Sequence, residues 1–185
     1  MKSKITFSIV IVSLLLFSAC IKNDQVLFTD TQTEFDAASW NANAAGLTYP
    51  LFTRVPGFGR AATTADPLIT RSSGTIRVRV NLVGAKSKTD RTIDYAVFDP
   101  PITSVQYSST ITLAASPAVA GVHYTVLPGT LTVPADSTWG YIQIPILNPG
   151  ATAGQTRILG LELKTTSGIK AMENYNRIAL SIDQR

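Results

Sequence analysis

From Thr75 onward the chain alternates between apolar and polar positions. Ile76, Val78, Val80 and Leu82 take every second place, with Thr75, Arg77, Arg79 and Asn81 between them. A period of two predicts a strand with one buried and one wet face. Arg91 to Phe98 alternates again around Ile93, Tyr95 and Val97, and the polar turn from Gly84 to Asp90 makes the two segments read as a hairpin. Asp99-Pro100-Pro101 stops the second strand, since neither proline has an N–H to give to a ladder. Ile102 to Ala115 reads as another β segment, with Val105, Tyr107, Ile111 and Leu113 as its apolar positions.

The most regular stretch runs from Ala120 to Asn148. Val122, Tyr124 and Val126 form one face of a predicted short strand, and Pro128-Gly129 suits a type II turn, where glycine accepts the positive φ. Thr130 to Val133 is the next strand and Pro134 to Ser137 its turn. Thr138 to Leu147 follows, with Gly140, Ile142, Ile144 and Ile146 opposing Trp139, Tyr141, Gln143 and Pro145. Pro145 points to an edge position or a bulge. Leu159, Leu161 and Leu163 mark one more strand and Ile178, Leu180 and Ile182 the last, with a single helical turn expected over Ala171 to Tyr175.

Residues 26–70 are less periodic. Val26-Leu27-Phe28 and Leu51 to Val55 read as strands, and Phe35 to Trp40 as a strand or one helical turn. About seven to nine short strands punctuated by turns predict an all-β domain, an immunoglobulin-like antiparallel β-sandwich spanning 26–185. No long amphipathic helix and no fixed-period repeat competes with that fold.

The first residues carry a different signal. Lys2 and Lys4 precede the apolar run Ile5 to Phe17, and Ser18-Ala19 gives a small-residue exit, so residues 1–19 read as a signal peptide. The run is shorter than the ~20 residues a transmembrane helix needs. Leu16-Phe17-Ser18-Ala19-Cys20 resembles the lipobox of bacterial lipoproteins, with Phe17 in place of the usual leucine. That resemblance implies that Cys20 becomes the mature N-terminus, bears a diacylglycerol thioether and an N-acyl chain such as palmitate, and leaves residues 20–25 as a tether. Several acyl chains hold a protein on a membrane where one chain is marginal. Ile21-Lys22-Asn23-Asp24 is similar to the short charged run that directs Bacteroides-type lipoproteins to the cell surface. The expected location is the outer membrane, lipid-anchored and facing outward.

Composition narrows the function classes. Charged residues make up 15% of the chain, and of the formal +4 charge, Lys2 and Lys4 lie in a leader without acids, leaving +2. With no basic block and no aromatics interleaved with cations along the sequence, nucleic acid is not an expected partner. A single cysteine excludes an internal disulfide and a cysteine-based metal cluster.

Ala120-Gly121-Val122-His123-Tyr124, then Pro128-Gly129-Thr130-Leu131-Thr132-Val133-Pro134 and Ile142 to Asn148, resemble the Calx-beta motif. More broadly, Thr75 to Ile182 is similar to a family of small Bacteroides-group lipoproteins with a Calx-beta-like sandwich. The resemblance implies an immunoglobulin-like fold and an association with outer-membrane glycan uptake. It does not extend to calcium. His123 stands where the motif has aspartate, and Asn148-Pro149-Gly150 replaces its paired acids. A calcium ion takes about six to eight oxygen ligands, whereas Asp90, Asp94, Asp99, Asp136 and Asp183 are scattered singly. No metal and no cofactor is expected.

Catalysis has little to stand on. His123 is the one histidine and lies in a β segment, and no Gly-x-Ser-x-Gly turn occurs. The expectation is a non-catalytic binding or accessory module of an outer-membrane system, with membrane lipid as one partner and a glycan or an outer-membrane protein as another. Sugars stack on exposed rings, which makes Trp139, Tyr141 and Trp40 the candidate contacts, although core packing competes for each. Tyr49, Phe52 and Phe58, with Trp40, offer aromatic area that could line a sugar platform but read first as core or edge packing, and Arg77 and Arg79 read as either an anion site or a solubilising face. The alternative role is a structural subunit of a surface assembly that pairs through exposed strand edges.

Overall fold

The computed structural model describes residues 30–40, 43–166 and 168–185. Cys20, the tether and the Val26–Phe28 segment lie outside the described residues. The strands in chain order are β1 (Gln32–Phe35), β2 (Leu51–Phe52), β3 (Thr75–Val83) and β4 (Arg91–Phe98). They continue with β5 (Ser104–Ser108), β6 (Ile111–Pro117), β7 (Thr130–Val133) and β8 (Trp139–Pro145). The last are β9 (Gln155–Leu163), β10 (Lys170–Ala171) and β11 (Arg177–Asp183). A single 3-10 turn, Ala37–Ser39, follows β1.

Two sheets face each other. One has the order β10-β1-β3-β8, the other β2-β11-β9-β4-β7, with the β5–β6 hairpin joined to β9 through β6. Most pairs are antiparallel, as expected. Three short ones are parallel: β1 with β10, β2 with β11 and β6 with β9. The core is built from the inward halves of the alternating strands: Ile76, Val78, Val80, Ile142 and Ile144 from one sheet meet Ile93, Leu131, Leu161, Leu163 and Leu180 from the other. Each such side chain contributes roughly 1.5–3 kcal/mol when fully removed from water. A second cluster on the outer face of the larger sheet, around Tyr49, Val105, Ile158 and Ala179, covers β9 from behind.

The structure corrects several expectations about the strands. β3 and β4 do not form a hairpin, because β3 pairs with β1 and β8 while β4 pairs with β7 and β9. The Gly84–Asp90 turn instead carries the chain from one sheet to the other, so that both apolar faces meet across the core. β7 and β8 are likewise split between the sheets. Gly140 permits the crossing to be tight: a Cβ there would stand 2.8 Å from the Thr132 carbonyl oxygen.

Val122, Tyr124 and Val126 do not share a strand face. The chain turns at Gly121, whose φ is +78° and whose N–H donates to the Tyr124 carbonyl. Tyr124 is buried, while Val122 and Val126 point outward. Ile102–Ala115 is two strands, β5 and β6, folded on each other. The segment after β10 makes a turn closed by the Tyr175 N–H on the Met172 carbonyl, without a helix. Pro145 does lie on an edge strand, since β8 ends its sheet.

Candidate functional site

The outer face of β3 and β8 gathers the residues that alternation pushes out of the core. The ladder register sets Arg77 opposite Gln143, Arg79 opposite Tyr141 and Asn81 opposite Trp139. On the other side of β3, Glu34 is opposite Asn81, and the backbone N–H of Asp36 donates to the Arg79 carbonyl. The face therefore carries cross-strand rows: Glu34–Asn81–Trp139, Asp36–Arg79–Tyr141 and Arg77–Gln143.

The guanidiniums stack diagonally on the rings. Arg79 Cζ lies 4.7 Å from the centre of the Trp139 ring, and Arg77 Cζ lies 5.2 Å from that of Tyr141. The loop after β2 adds a third ring. Phe58 meets Tyr141 edge-on with centroids 5.1 Å apart, and Arg77 lies 5.4 Å from its centre. Trp139 keeps 42% of its surface exposed and Phe58 41%, which separates them from core rings such as Tyr124 at 4%. Each cation–ring contact at an exposed site contributes about 0.5–1 kcal/mol.

A polar network anchors one side of this face. Arg79 Nε donates to Asn81 Oδ1 at 2.8 Å, and Asn81 Nδ2 donates to Glu34 Oε1 at 3.4 Å and Asp36 Oδ1 at 3.3 Å. Asp36 is buried, caps the 3-10 turn through the Ala38 N–H and accepts the Gly59 N–H at 2.7 Å. That last bond pins the loop bearing Phe58 to the sheet. Burial pushes the Glu34 carboxyl above the usual carboxylate range, the Asn81 hydrogen bond opposing the rise and the nearby Asp36 charge adding to it.

The structure brings together Trp139 and Tyr141 of the three rings proposed from sequence. Trp40 is elsewhere. Its ring packs edge-on against Tyr175 at 5.0 Å, its Nε1–H donates to Asn43 Oδ1, and it leans on both apolar clusters. It borders a separate cleft of about 400 Å3 with Thr48 and Asn174. A larger cleft of about 680 Å3, on the outer face of the other sheet, is lined by Leu47, Leu51, Ile102, Val105, Asn43 and Gln106. It offers no ring and no charge. Sequence reasoning missed Glu34, Asp36 and Asn81 as members of the site, ranked Phe58 as packing ahead of a sugar platform, and left Arg77 and Arg79 open. A ring flanked by glycines in Pro56-Gly57-Phe58-Gly59 was the signal for an exposed turn tip.

His123 does not join any acid–base pair. It is buried, its Nδ1 accepts the Val119 N–H at 2.9 Å, and burial, then the charge of Arg157, hold it below the ordinary imidazole range. Among the described residues, no three His, Cys, Asp or Glu side chains cluster in a way that could hold a metal ion.

No family model matches the chain, and no curated protein matches it. Among solved structures it is similar to the apo form of the Calx CBD1 domain, with a TM-score of 0.51 and 14% identity over 83% of this chain and 96% of that one. A Bacteroides ovatus protein of unknown function aligns over 84% of this chain and 52% of its own, with a TM-score of 0.49 and 9% identity. A candidate carbohydrate-binding protein from Bacteroides ovatus aligns over 60% of this chain and 31% of its own, with a TM-score of 0.42 and 11% identity. The chain thus spans about half and about a third of those two proteins. At such identities only architecture carries over. The Calx domain, matched nearly end to end, shows what that architecture is: the chain has a Calx-beta-like, immunoglobulin-like sandwich fold.

Proposed function

We propose that the protein is a non-catalytic binding module that takes a glycan on the outer face of β3 and β8, held at the outer-membrane surface by acylated Cys20. The observation that carries this reading is the joint exposure of Trp139 and Phe58 beside Tyr141, on one sheet face bordered by hydrogen-bonding groups. Rings supply stacking area, and Gln143, Asn81 and the guanidiniums supply the donors and acceptors that orient hydroxyls. Sites of this kind combine apolar surface with a few placed polar groups. The test is retention on a glycan array, comparing the parent with Trp139→Ala and Tyr141→Ala. The parent should retain at least one glycan and the variants should lose it by tenfold or more while melting as folded proteins. If the parent retains none, or Trp139→Ala binds as the parent does, the reading is wrong.

A second reading rests on β8 itself. This edge strand, Trp139–Pro145, carries no charged side chain to blunt pairing with another chain. Among the described residues its far end is covered, where the Thr125 N–H donates to the Pro145 carbonyl and Tyr124 bridges to Ile146 just beyond the strand. In a surface assembly, β8 would take a strand from a neighbour. Concentration-dependent polymers of the purified protein, abolished by Gln143→Pro, would favour this role.

A further inference from the structure

The nine arginines of the chain all fall among the described residues. Eight of them donate a side-chain hydrogen bond to a carboxylate, amide, hydroxyl or carbonyl acceptor. Arg77 does not. Among the described residues, its only side-chain partners are the two rings, Tyr141 at 5.2 Å and Phe58 at 5.4 Å. Among the described residues, this exposed guanidinium is held against two rings and directed at no acceptor, so its N–H donors remain available to a ligand.

Building on the glycan reading above, we propose that the ligand of this face is an acidic glycan and that Arg77 receives the carboxylate of a uronic acid residue. A guanidinium matches a carboxylate with two parallel N–H···O bonds, the strongest polar pairing available to it. Stacking on Tyr141 and Phe58 restricts its rotamers before the ligand arrives, so less conformational freedom is lost on binding. Gln143, directly across the ladder and exposed, places an amide beside the same position. The acids of the face do not compete for Arg77. Asp36 is occupied by Gly59 and Asn81, Glu34 by Asn81, and both belong to the rows of Arg79 and Asn81 on the β1 side. Arg79, tied to Asn81 and stacked on Trp139, is a member of the platform. Among the described residues, Arg77 is the positive charge next to it without a hydrogen-bonded acceptor.

The charge complementarity can be separated from ring stacking by esterification. A methyl ester keeps the shape of a uronic acid sugar and removes its charge. Binding of the full-length protein is measured to oligosaccharides of galacturonic, glucuronic and mannuronic acid, each beside its fully methyl-esterified form, at low and high salt. At least one acid form should bind tenfold or more tightly than its own ester at low salt. Raising the salt should shrink the ratio, because exposed charges are screened. Arg77→Gln should bring acid and ester to within about twofold of each other, and Arg77→Lys, which keeps the charge but not the fork, should fall between. A thermal melt of each variant checks that the sandwich stays folded. Equal binding of acid and ester, a preference that survives Arg77→Gln, or tight binding confined to sulfated glycans would overturn the assignment. Trp139-dependent binding of neutral glycans alone would overturn this inference and leave the glycan reading standing. Absence of binding to any glycan would overturn both.

Discussion

The guanidinium of Arg79 lies 4.7 Å from the centre of the Trp139 ring, diagonally across the β3–β8 ladder from a residue whose direct partner is Asn81. Arg77 repeats the relationship one step along, on Tyr141. Diagonal neighbours of this kind are within reach of long and aromatic side chains, and here they convert a solvated strand face into an ordered surface. The stacking costs the core nothing, because every partner is on the outward half of its strand. Trp139→Ala should accordingly lose about 1 kcal/mol, the scale of one exposed cation–ring contact, with the change read from urea denaturation. A loss near the several kcal/mol of a core ring would mean that Trp139 is a packing residue and not a binding one.

Tyr124 makes the contrast. It is 4% exposed, joins the main cluster and bridges to Ile146. Tyr124→Ala should cost about 3–5 kcal/mol, as truncation of a buried aromatic does. A cost below about 1 kcal/mol would place the ring at the surface.

The period of two makes the inward and outward halves of β3 and β8 legible in the sequence. Ile142 and Ile144 are buried and Trp139 and Tyr141 are not, as alternation requires. Sheet membership is not legible in the same way. The Gly84–Asp90 turn is equally compatible with a hairpin and with a crossing between sheets, and only the mutual burial of two apolar faces decides. Val122 and Val126 depart from the pattern for a local reason, since a glycine with positive φ reverses the chain inside an alternating run. The site is half legible. Trp139 and Tyr141 are sequence neighbours on one strand face. Phe58 and Asp36 reach the same face through a Gly59–Asp36 hydrogen bond that spans 23 residues and leaves no periodic trace.

Anchoring is tested at Cys20. If that residue is acylated, Cys20→Ala should leave the protein unprocessed by the lipoprotein pathway and poorly retained in membranes after a carbonate wash. A variant that fractionates with membranes as the parent does would exclude the lipid anchor.

Calcium should leave the fold's stability where a chelator leaves it. The acids of the β3–β4 and β7–β8 connections already have partners: Asp90 accepts the Ala135 N–H and Asp136 pairs with Lys88. Only a ligand that binds the native state raises its apparent melting temperature. A rise of several degrees in millimolar calcium would show that carboxylates converge on an ion after all.

Glu34 gives a pH signature to the candidate site. Its folded-state pKa lies above the ordinary value of 4.5, first through burial and then, partly offset by Asn81, through the Asp36 charge. A carboxyl with a raised folded pKa favours the folded state when protonated and loses that contribution as pH rises through the folded value. At pH 7 the unfolded carboxyl is ionised, and the folded state alone bears the cost of desolvation and of repulsion from Asp36. Glu34→Gln removes the charge, keeps an oxygen for Asn81 Nδ2 and stays nearly the same size. The variant should therefore be more stable than the parent at pH 7, and the gain should vanish near about pH 3.5, where the parent carboxyl is protonated in both states. Urea denaturation at the two pH values measures the difference. A variant less stable than the parent at pH 7 would mean that the Glu34 carboxylate is stabilised by the arginines of this face, and the polar network would have to be read with the opposite sign.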